Sequence, residues 1–574
     1  MTDQKNLVLA IVLSVVILFG FQMIFGTPPP QTPPAPQTDE QRAQPTGPVS
    51  ETRPTPPAAP VDAETARAGA LEDTVRVAIN PDLDDGRVTG SIALRGGRID
   101  DLVLRDYQET VEPDSDLIVL LSPAGAPSPY YAKFGWEAEP GSTVAVPDAE
   151  AEWQANAGRL TADAPVTLTW DNGDGLRFSN RIEIDDQYMF TVTQRVENHG
   201  DTPVVLRPNG LINRTDEPSA LLGFYILHEG PLGVFDGTLQ EVDYDDLREK
   251  QVIPGAGRQG WIGITDKYWL VALIPDQQSD IDALFSMAVV DRHEKFQVDF
   301  KQPALTIAAR GAAEVTNRLF AGAKEVNQLD RYEQSLGISR FDLAVDFGWF
   351  YFLTKPLFYV IHYLHDVLGN IGLAILAVTV MIKLVFFPLA NKSYVAMSRM
   401  KKLQPEMTKL REKFSDDKRR QQQEMMDLYK REKANPLAGC LPILVQIPVF
   451  FALYKVLFVT LEMRHAPFYG WIRDLSARDP TSLFNLFGLV PWTPPDFLGI
   501  GVWPLIMGIT MWLQQKLNPP PPDPTQARIM MMLPFVFTFM FATFPAGLVI
   551  YWAWNNLLSI AQQYVIMRRM GVKV

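Results

Sequence analysis

Past residue 370 the chain is dominated by apolar runs, at 371–387, 441–460, 498–513, 529–544 and 547–566. A sixth stands near the start, LVLAIVLSVVILFGFQMIF at 7–25. Its 19 uncharged residues reach about 28 Å at about 1.5 Å per helical residue, one hydrocarbon thickness. No A-x-A-like site follows it, and Phe25-Gly26-Thr27-Pro28 is a poor place to cut, so it reads as an uncleaved anchor rather than a signal peptide. Six runs predict six membrane spans.

Charge is divided along the chain. The formal net charge of −14 hides a balance of −25 over 27–350 and +11 elsewhere. Residues 27–60 contain TPPPQTPPAP and TRPTPPAAP, a polar Pro-rich spacer that cannot bury a core. From about residue 71, short alternating runs begin, such as TVRVAI, RFSNRIEI and MFTVTQRVEN. They are separated by turns such as DNGDG and NHGDTP, a pattern that predicts an antiparallel β sandwich of about 260 residues with no helix before about residue 312. Residues 347–368 are aromatic-rich. Lys355, His362 and Asp366 fall on one helical face, and Trp349, Phe352, Phe358 and Tyr363 supply the body of an in-plane interfacial helix. The single cysteine, Cys440, excludes any disulfide within the chain.

Residues 391–433, between the second and third runs, carry 13 Lys/Arg against 7 Asp/Glu. The positive-inside rule puts this loop in the cytoplasm. Six spans then leave both termini inside and the β domain outside. Met400, Leu403, Met407, Leu410 and Phe414 recur at helical spacing, and Ser415-Asp416-Asp417 reads as a turn and N-cap. Met425, Leu428 and Tyr429 mark a second helix, which makes a cytoplasmic hairpin with a thin apolar seam; a solvated hairpin that merely sets topology is the plainer reading.

Lys383 lies inside the second run, in VTVMIKLVFFPL. A charge at mid-bilayer costs about 2.5–3.5 kcal/mol on insertion scales. Two readings stand: the lysine snorkels to the inner interface, or it lines a hydrated cavity. Other polar residues favour the cavity. Thr379 is one turn before Lys383, Gln446 lies in PILVQIPVF, and Tyr551, Asn555 and Ser559 follow at i, i+4, i+8 with Asn556 beside them. The five later runs hold no Asp or Glu to pair with Lys383. The runs 498–513 and 529–544, about 16 residues each, are short for a span. Methionines cluster here, suited either to varied apolar contacts or to ordinary packing.

Phosphate-loop, H-E-x-x-H and Cys/His metal signatures are absent from the sequence. No cofactor, metal site or catalysis is expected.

Four stretches together resemble one family: NPLAGCLPILVQIPVFFALY (435–454), LQPEMTKLREKF with QQEMMDLYK (403–414 and 422–430), RHAPFYGWIRDLSARDP (464–480) and FPAGLVIYW (544–552). The chain is similar to the YidC membrane-protein insertases of Gram-negative bacteria. The resemblance implies a polytopic α-helical inner-membrane protein of six spans, with a five-helix insertase core and a large periplasmic β-supersandwich. Its division would be an anchor at 1–26, a linker at 27–70, the β domain at 71–340, an interfacial helix at 341–370 and the core at 371–574. It implies insertion and folding of nascent membrane proteins, alone or beside the Sec translocon, with membrane lipids and the ribosome as further partners and no direct nucleic-acid contact. It also implies a hydrophilic groove, open to cytoplasm and lipid, whose one essential positive charge aligns with Lys383. Many relatives carry arginine there, and lysine lacks the planar fork for bidentate carboxylate binding. Trp552 stands where many relatives have a tyrosine that touches substrate, so Tyr551 and Trp552 are both candidates.

Rival classes are an assembly chaperone without autonomous insertion and an anion-binding transporter. The inverted repeats usual in a transporter are not visible in the sequence. A sugar-binding or enzymatic β domain is a further rival, for which no convergent site is visible.

Overall fold

The computed structural model describes residues 63–571 apart from 83–84, 219–220, 222–226, 416, 433–440, 489, 491, 493–498 and 519–523. The expected anchor at 7–25, the Pro-rich spacer, Asn435-Pro436 and Cys440 lie outside the described residues. Of the unit formed by residues 1–69, only the start of helix α1 (Ala63–Glu72) is described.

The alternating runs form two sheets, of eleven and nine strands among the described residues. Strand Leu176–Ile184 shows why. Leu176, Phe178, Asn180, Ile182 and Ile184 are buried, while Arg177 and Arg181 face out, the period of two that a half-buried strand imposes. It pairs antiparallel with Met189–Asn198, which pairs with Ala312–Ala323. In the other sheet, Val204–Thr215 lies between Tyr130–Ala138 and His293–Lys301, again antiparallel. Side chains of both sheets merge in one core, where Phe134, Ile212 and Phe300 join Phe178, Phe190 and Leu319. A buried polar link crosses it: Gln194 Nε2 donates to the Gly135 carbonyl at 2.7 Å, and Asn317 donates to Gln194 Oε1 at 2.8 Å. Each of these amide groups is satisfied, as burial requires.

The expectation of no helix before about residue 312 is corrected. Besides α1, a short helix α2 (Tyr244–Lys250) sits inside the β domain, with Asp245 and Asp246 in its first turn and Arg248 and Lys250 in its last. That charge order complements the helix dipole, a local signal that alternation counts do not register.

Helix α3 (Val326–Leu336) then crosses the second sheet. Leu329 and Tyr332 are buried on it, and Phe341 meets Trp261 and Phe320 edge-on at 5.5 and 5.4 Å. Helix α4 (Tyr351–Leu368) follows, and its charged face differs from the sequence expectation. Lys355 does not face water. It donates to Asp330 Oδ1 and Asp342 Oδ2, both at 2.8 Å, tying α4 to α3 and the segment after it. Asn327 lies 2.9 Å from His362. The aromatic set divides: Phe358 is buried, whereas Trp349, Phe352 and Tyr363 are among the most exposed apolar side chains. Asp330, Glu333 and Asp342 are the one group spaced to hold a metal among the described residues, and the Lys355 ammonium already bridges two of them. Lys355→Ala is expected to destabilise the chain by about 3 kcal/mol, since it removes the ammonium that two partly buried carboxylates share. A lower melting temperature in detergent checks this, and an unchanged one contradicts it.

The apolar runs become α5 (Ile371–Val385), α8 (Leu441–Val459), α9 (Val502–Leu517), α10 (Pro524–Phe541) and α11 (Ala546–Arg569), with α6 (Phe387–Lys413) and α7 (Lys418–Arg431) between the first two. Among the described residues no single helix is both long and apolar enough to cross a membrane alone, and one pair is: α5 and α6 across a 67° bend. The bend has a local cause, because Phe386 leaves helical geometry just before Pro388. In the α6–α7 hairpin, Met407, Met425 and Leu428 are buried and Leu403, Leu410 and Tyr429 pack on them. Met400 and Phe414 are outside that cluster; Phe414 instead lies under the cations of Lys413 and Arg420. Asp417 caps α7 by accepting the Arg420 N–H at 3.0 Å.

The C-terminal end of α8 is fastened to the β domain and the segment after it. Lys455 Nζ donates to Asp346 at 2.6 Å, and Lys267 lies 4.3 Å from the Phe458 ring centre. Beyond the helix, Arg464 stacks over Trp269 and donates to the carbonyls of Gln108 and Glu109. Burial pushes the ammonium groups of Lys267 and Lys324 down to about 8.

Candidate functional site

Lys383 sits in the last turn of α5 and reaches between α8 and α11. Its Nζ donates to Ser559 Oγ at 2.8 Å and to Gln446 Oε1 at 3.4 Å. The hydroxyl of Ser559 passes on to the Asn555 carbonyl at 2.8 Å, and Gln446 Nε2 donates to Asn555 Oδ1 at 3.2 Å. One hydrogen-bonded chain thus joins three helices, and every acceptor facing the ammonium in it is neutral. Among the described residues no carboxylate pairs with Lys383. The cation is solvated by dipoles alone, leaving its charge available to an anionic or carbonyl group that approaches.

Above this polar level lies an aromatic one. The rings of Phe450 and Trp552 stack at 4.6 Å, Trp552 meets Phe541 at 4.0 Å, and Phe450 stacks on Tyr551 at 6.5 Å. Four residues separate Gln446 from Phe450 on α8, and Asn555 from Tyr551 on α11. The aromatic layer is therefore about 6 Å, one turn, from the polar one, on the side of the β domain. Around the polar level, Met381, Leu384, Val385, Ile447 and Phe451 are exposed.

Of the residues singled out from sequence, Lys383, Gln446, Asn555 and Ser559 come together. Tyr551 and Trp552 belong to the aromatic layer. Thr379 is not brought in: it is 2% exposed, and its hydroxyl donates to the Ile375 carbonyl at 2.7 Å. Asn556 points elsewhere, donating to Thr510 on α9 at 3.4 Å. One heptad on, Gln563 donates to Asn518 at 3.0 Å, so α11 carries a second polar stripe that holds α9. The seven-residue spacing of Asn556 and Gln563 was the available signal for it. Trp554, whose Nε1 donates to the Leu376 carbonyl at 3.2 Å, and Tyr394, hydrogen-bonded to Ser559, carried no comparable signal.

Among the described residues, a group of apolar helices with a lysine bonded only to neutral acceptors is joined to a two-sheet β domain, the architecture of a membrane-associated protein. The comparisons identify the class further. Residues 363–573 match the family model of the 60Kd inner membrane protein, and residues 81–360 match that of the YidC periplasmic domain. A membrane protein insertase YidC of Bradyrhizobium diazoefficiens is 49% identical over 100% of this chain and 97% of its own length. Another, from Nitrobacter hamburgensis, is 50% identical over 100% of this chain and 96% of its own. A crystal structure of an active YidC insertase with its first transmembrane domain resolved is 16% identical, covering 83% of this chain and 90% of that one with a TM-score of 0.35. The chain belongs to the YidC membrane protein insertase family. It is a non-enzymatic insertase of the bacterial inner membrane, with a periplasmic β domain.

Proposed function

We propose that Lys383, Gln446, Asn555 and Ser559 form the floor of a hydrophilic groove that receives the polar flank of a nascent membrane protein. The observation that carries this reading is a cation bonded only to neutral acceptors between three helices. The apolar part of a client gains about 0.3–0.6 kcal/mol per Leu, Ile, Phe or Val on entering lipid, and the crossing of its polar flank is the barrier. A polar floor inside the membrane shortens the dry path for that flank, and Lys383 attracts its carboxylates and carbonyls. The apolar segment then leaves past α8 and α11 over the exposed Ile447 and Phe451. The aromatic layer around Trp552 closes the groove on the outer side.

In this reading the chain has six spans, with both termini and the α6–α7 hairpin in the cytoplasm. Its division is that drawn from the sequence, into anchor, linker, β domain, interfacial helix and core. Nascent chains are the clients. The Sec translocon and the ribosome are partners, the latter through the hairpin with its basic exterior. Thr379 and Asn556 act in this scheme by fixing helices rather than by touching cargo.

The test uses the whole protein alone in liposomes and a single-span client with an acidic external flank. Photoreactive side chains replace Gln446, Trp552 or Thr379 in separate variants. The client is expected to insert, and to crosslink from 446 and 552 but not from 379. Insertion without crosslinks at 446 and 552 would overturn the groove, and no insertion at all would favour an assembly chaperone that needs a translocon.

A further inference from the structure

Between α8 and α9 the chain makes an excursion whose two feet are pinned at one point. Asp479, 4% exposed, accepts the Trp503 N–H at 2.9 Å, the Thr481 hydroxyl at 2.6 Å and the Trp471 indole N–H at 3.0 Å. Thr481 Oγ1 in turn accepts the Val502 N–H at 3.0 Å, and the Leu483 N–H donates to the Ile500 carbonyl at 2.9 Å. Residues 479 and 481 therefore cap a helix that begins more than twenty residues later, and Leu483 and Ile500 meet beside its first turn.

The departing part is apolar and outward. Leu483, Phe484, Leu486, Phe487, Val490 and Trp492 are each between 41 and 54% exposed. Leu486 and Phe487 are held in the left-handed region, at φ 49° and 59°. Large side chains rarely adopt that conformation, and here backbone bonds from Phe487 to Ser482 at 2.8 Å and from Val490 to Asn485 at 3.0 Å maintain it. No Asp, Glu, Lys or Arg occurs from 480 to 495. Six large apolar side chains turned outward on one short turn mark an interaction surface rather than a solvated loop.

We infer that this turn is an interfacial anchor seated among the phospholipids of the outer leaflet, at the boundary between headgroups and acyl chains. The inference rests on the reading of α8 and α9 as spans. Its feet are at the outer end of α9, the end that faces the β domain: Arg473, ten residues before the turn's first exposed pair, is ion-paired with Glu112 of that domain at 3.5 Å. Trp and Phe without formal charge suit that depth of a bilayer. The neighbouring β domain is strongly acidic, and an uncharged turn offers no complement to a charged periplasmic protein surface. Helix α9 has 16 residues, about 24 Å, short of a hydrocarbon core, and short spans depend on flanking anchors to fix their depth. The turn supplies that anchor for the helix that α11 grips through Asn556 and Gln563.

The experiment starts from the whole protein with its one cysteine removed, C440S. A new cysteine at Phe487, Trp492 or, as a reference inside α9, Ile509 (57% exposed) carries an environment-sensitive fluorophore. Each is reconstituted in phosphatidylcholine–phosphatidylglycerol vesicles. Labels at 487 and 492 are expected to be quenched by lipids with a spin label near the headgroup, several-fold more than by aqueous iodide, and the label at 509 by lipids labelled deeper. Iodide quenching at 487 and 492 with lipid quenching kept at 509 would overturn the anchor and leave the span. Protection from both quenchers at 487 and 492 would mean a protein covers the turn, which also overturns it. Loss of lipid quenching at 509 would overturn the span reading and the anchor with it.

Discussion

Replacing Lys383 by alanine is expected to cut insertion of a client with an acidic external flank by about 10-fold or more, while Lys383→Arg keeps most of it. The magnitude follows from the worth of a hydrogen bond to a charged group, about 1.5–3 kcal/mol, lost at the step where the flank enters. The folded state has little to lose. Once the ammonium is gone, Gln446 still donates to Asn555 Oδ1 and joins α8 to α11, while Trp554 Nε1 still donates to the Leu376 carbonyl and joins α11 to α5. The loss therefore reports on cargo and not on folding, and a melting curve close to wild type verifies this. A second variant separates charge from shape. Ser559→Asp would set a carboxylate beside Lys383 Nζ, where a hydroxyl now accepts at 2.8 Å, and so occupy the cation from within. It is expected to depress insertion of acidic-flank clients as Lys383→Ala does, and to affect clients with neutral flanks far less. Equal insertion of acidic-flank clients by wild type, Lys383→Ala and Lys383→Arg would remove the charge from the mechanism and return Lys383 to the snorkelling reading.

What the sequence could and could not disclose follows from how far each determinant lies from what it determines. The run 371–387 becomes Ile371–Val385 and 441–460 becomes Leu441–Val459, because hydrocarbon-compatible composition is written in the residues themselves. The run 498–513 becomes Val502–Leu517 instead. Its start is set by caps at Asp479 and Thr481, remote in sequence, and its end runs on through Gln514, Gln515 and Lys516, which a hydropathy count discards. The strand alternation of the β domain was legible for the same local reason as the helices, while the eleven- and nine-stranded order was not, since pairing is a property of distant segments. In the site, Lys383 stood out as a charge in an apolar run, and the stripe at 551, 555 and 559 as a period. Thr379 shared that face by spacing, yet its hydroxyl took the nearer partner, its own helix carbonyl, as threonines in helices commonly do. Lys355 looked like the polar edge of a surface helix because its partners, Asp330 and Asp342, belong to a segment that only the fold brings alongside.

Glu462 escaped notice on sequence altogether, and it carries the second large expected effect. It lies just beyond α8, in the short turn Leu461–Met463, beside a small cavity of about 10 Å³ lined by Phe358, Ile361 and His362 of α4 and by Val456 and Thr460. Its Oε2 is shielded from solvent and has no hydrogen-bond partner among the described residues. Burial pushes this carboxyl up to about 7, against a small opposing pull from its own backbone N–H and a further push from the charge of Glu325. A carboxyl whose folded value lies above its unfolded one, near 4.5, stabilises the fold by holding its proton. That contribution is complete below about pH 4.5 and is lost as pH rises through about 7. The full displacement amounts to about 3 kcal/mol. Wild type is thus expected to melt several degrees lower at pH 8 than at pH 5, and Glu462→Gln, which keeps the shape and a proton donor, to lose that difference by being more stable at pH 8. His362 faces the same cavity and Glu325 acts from the start of α3, so either is a competing source of the slope. His362→Asn and Glu325→Gln resolve this: a slope kept in both but absent in Glu462→Gln belongs to Glu462, and a slope that survives Glu462→Gln does not. Glu462 sits where α4 meets the C-terminal end of α8, the helix that carries Gln446 and Phe450. At low pH that junction holds a neutral carboxyl, and at high pH a carboxylate stands in it without a hydrogen-bond partner for Oε2 among the described residues.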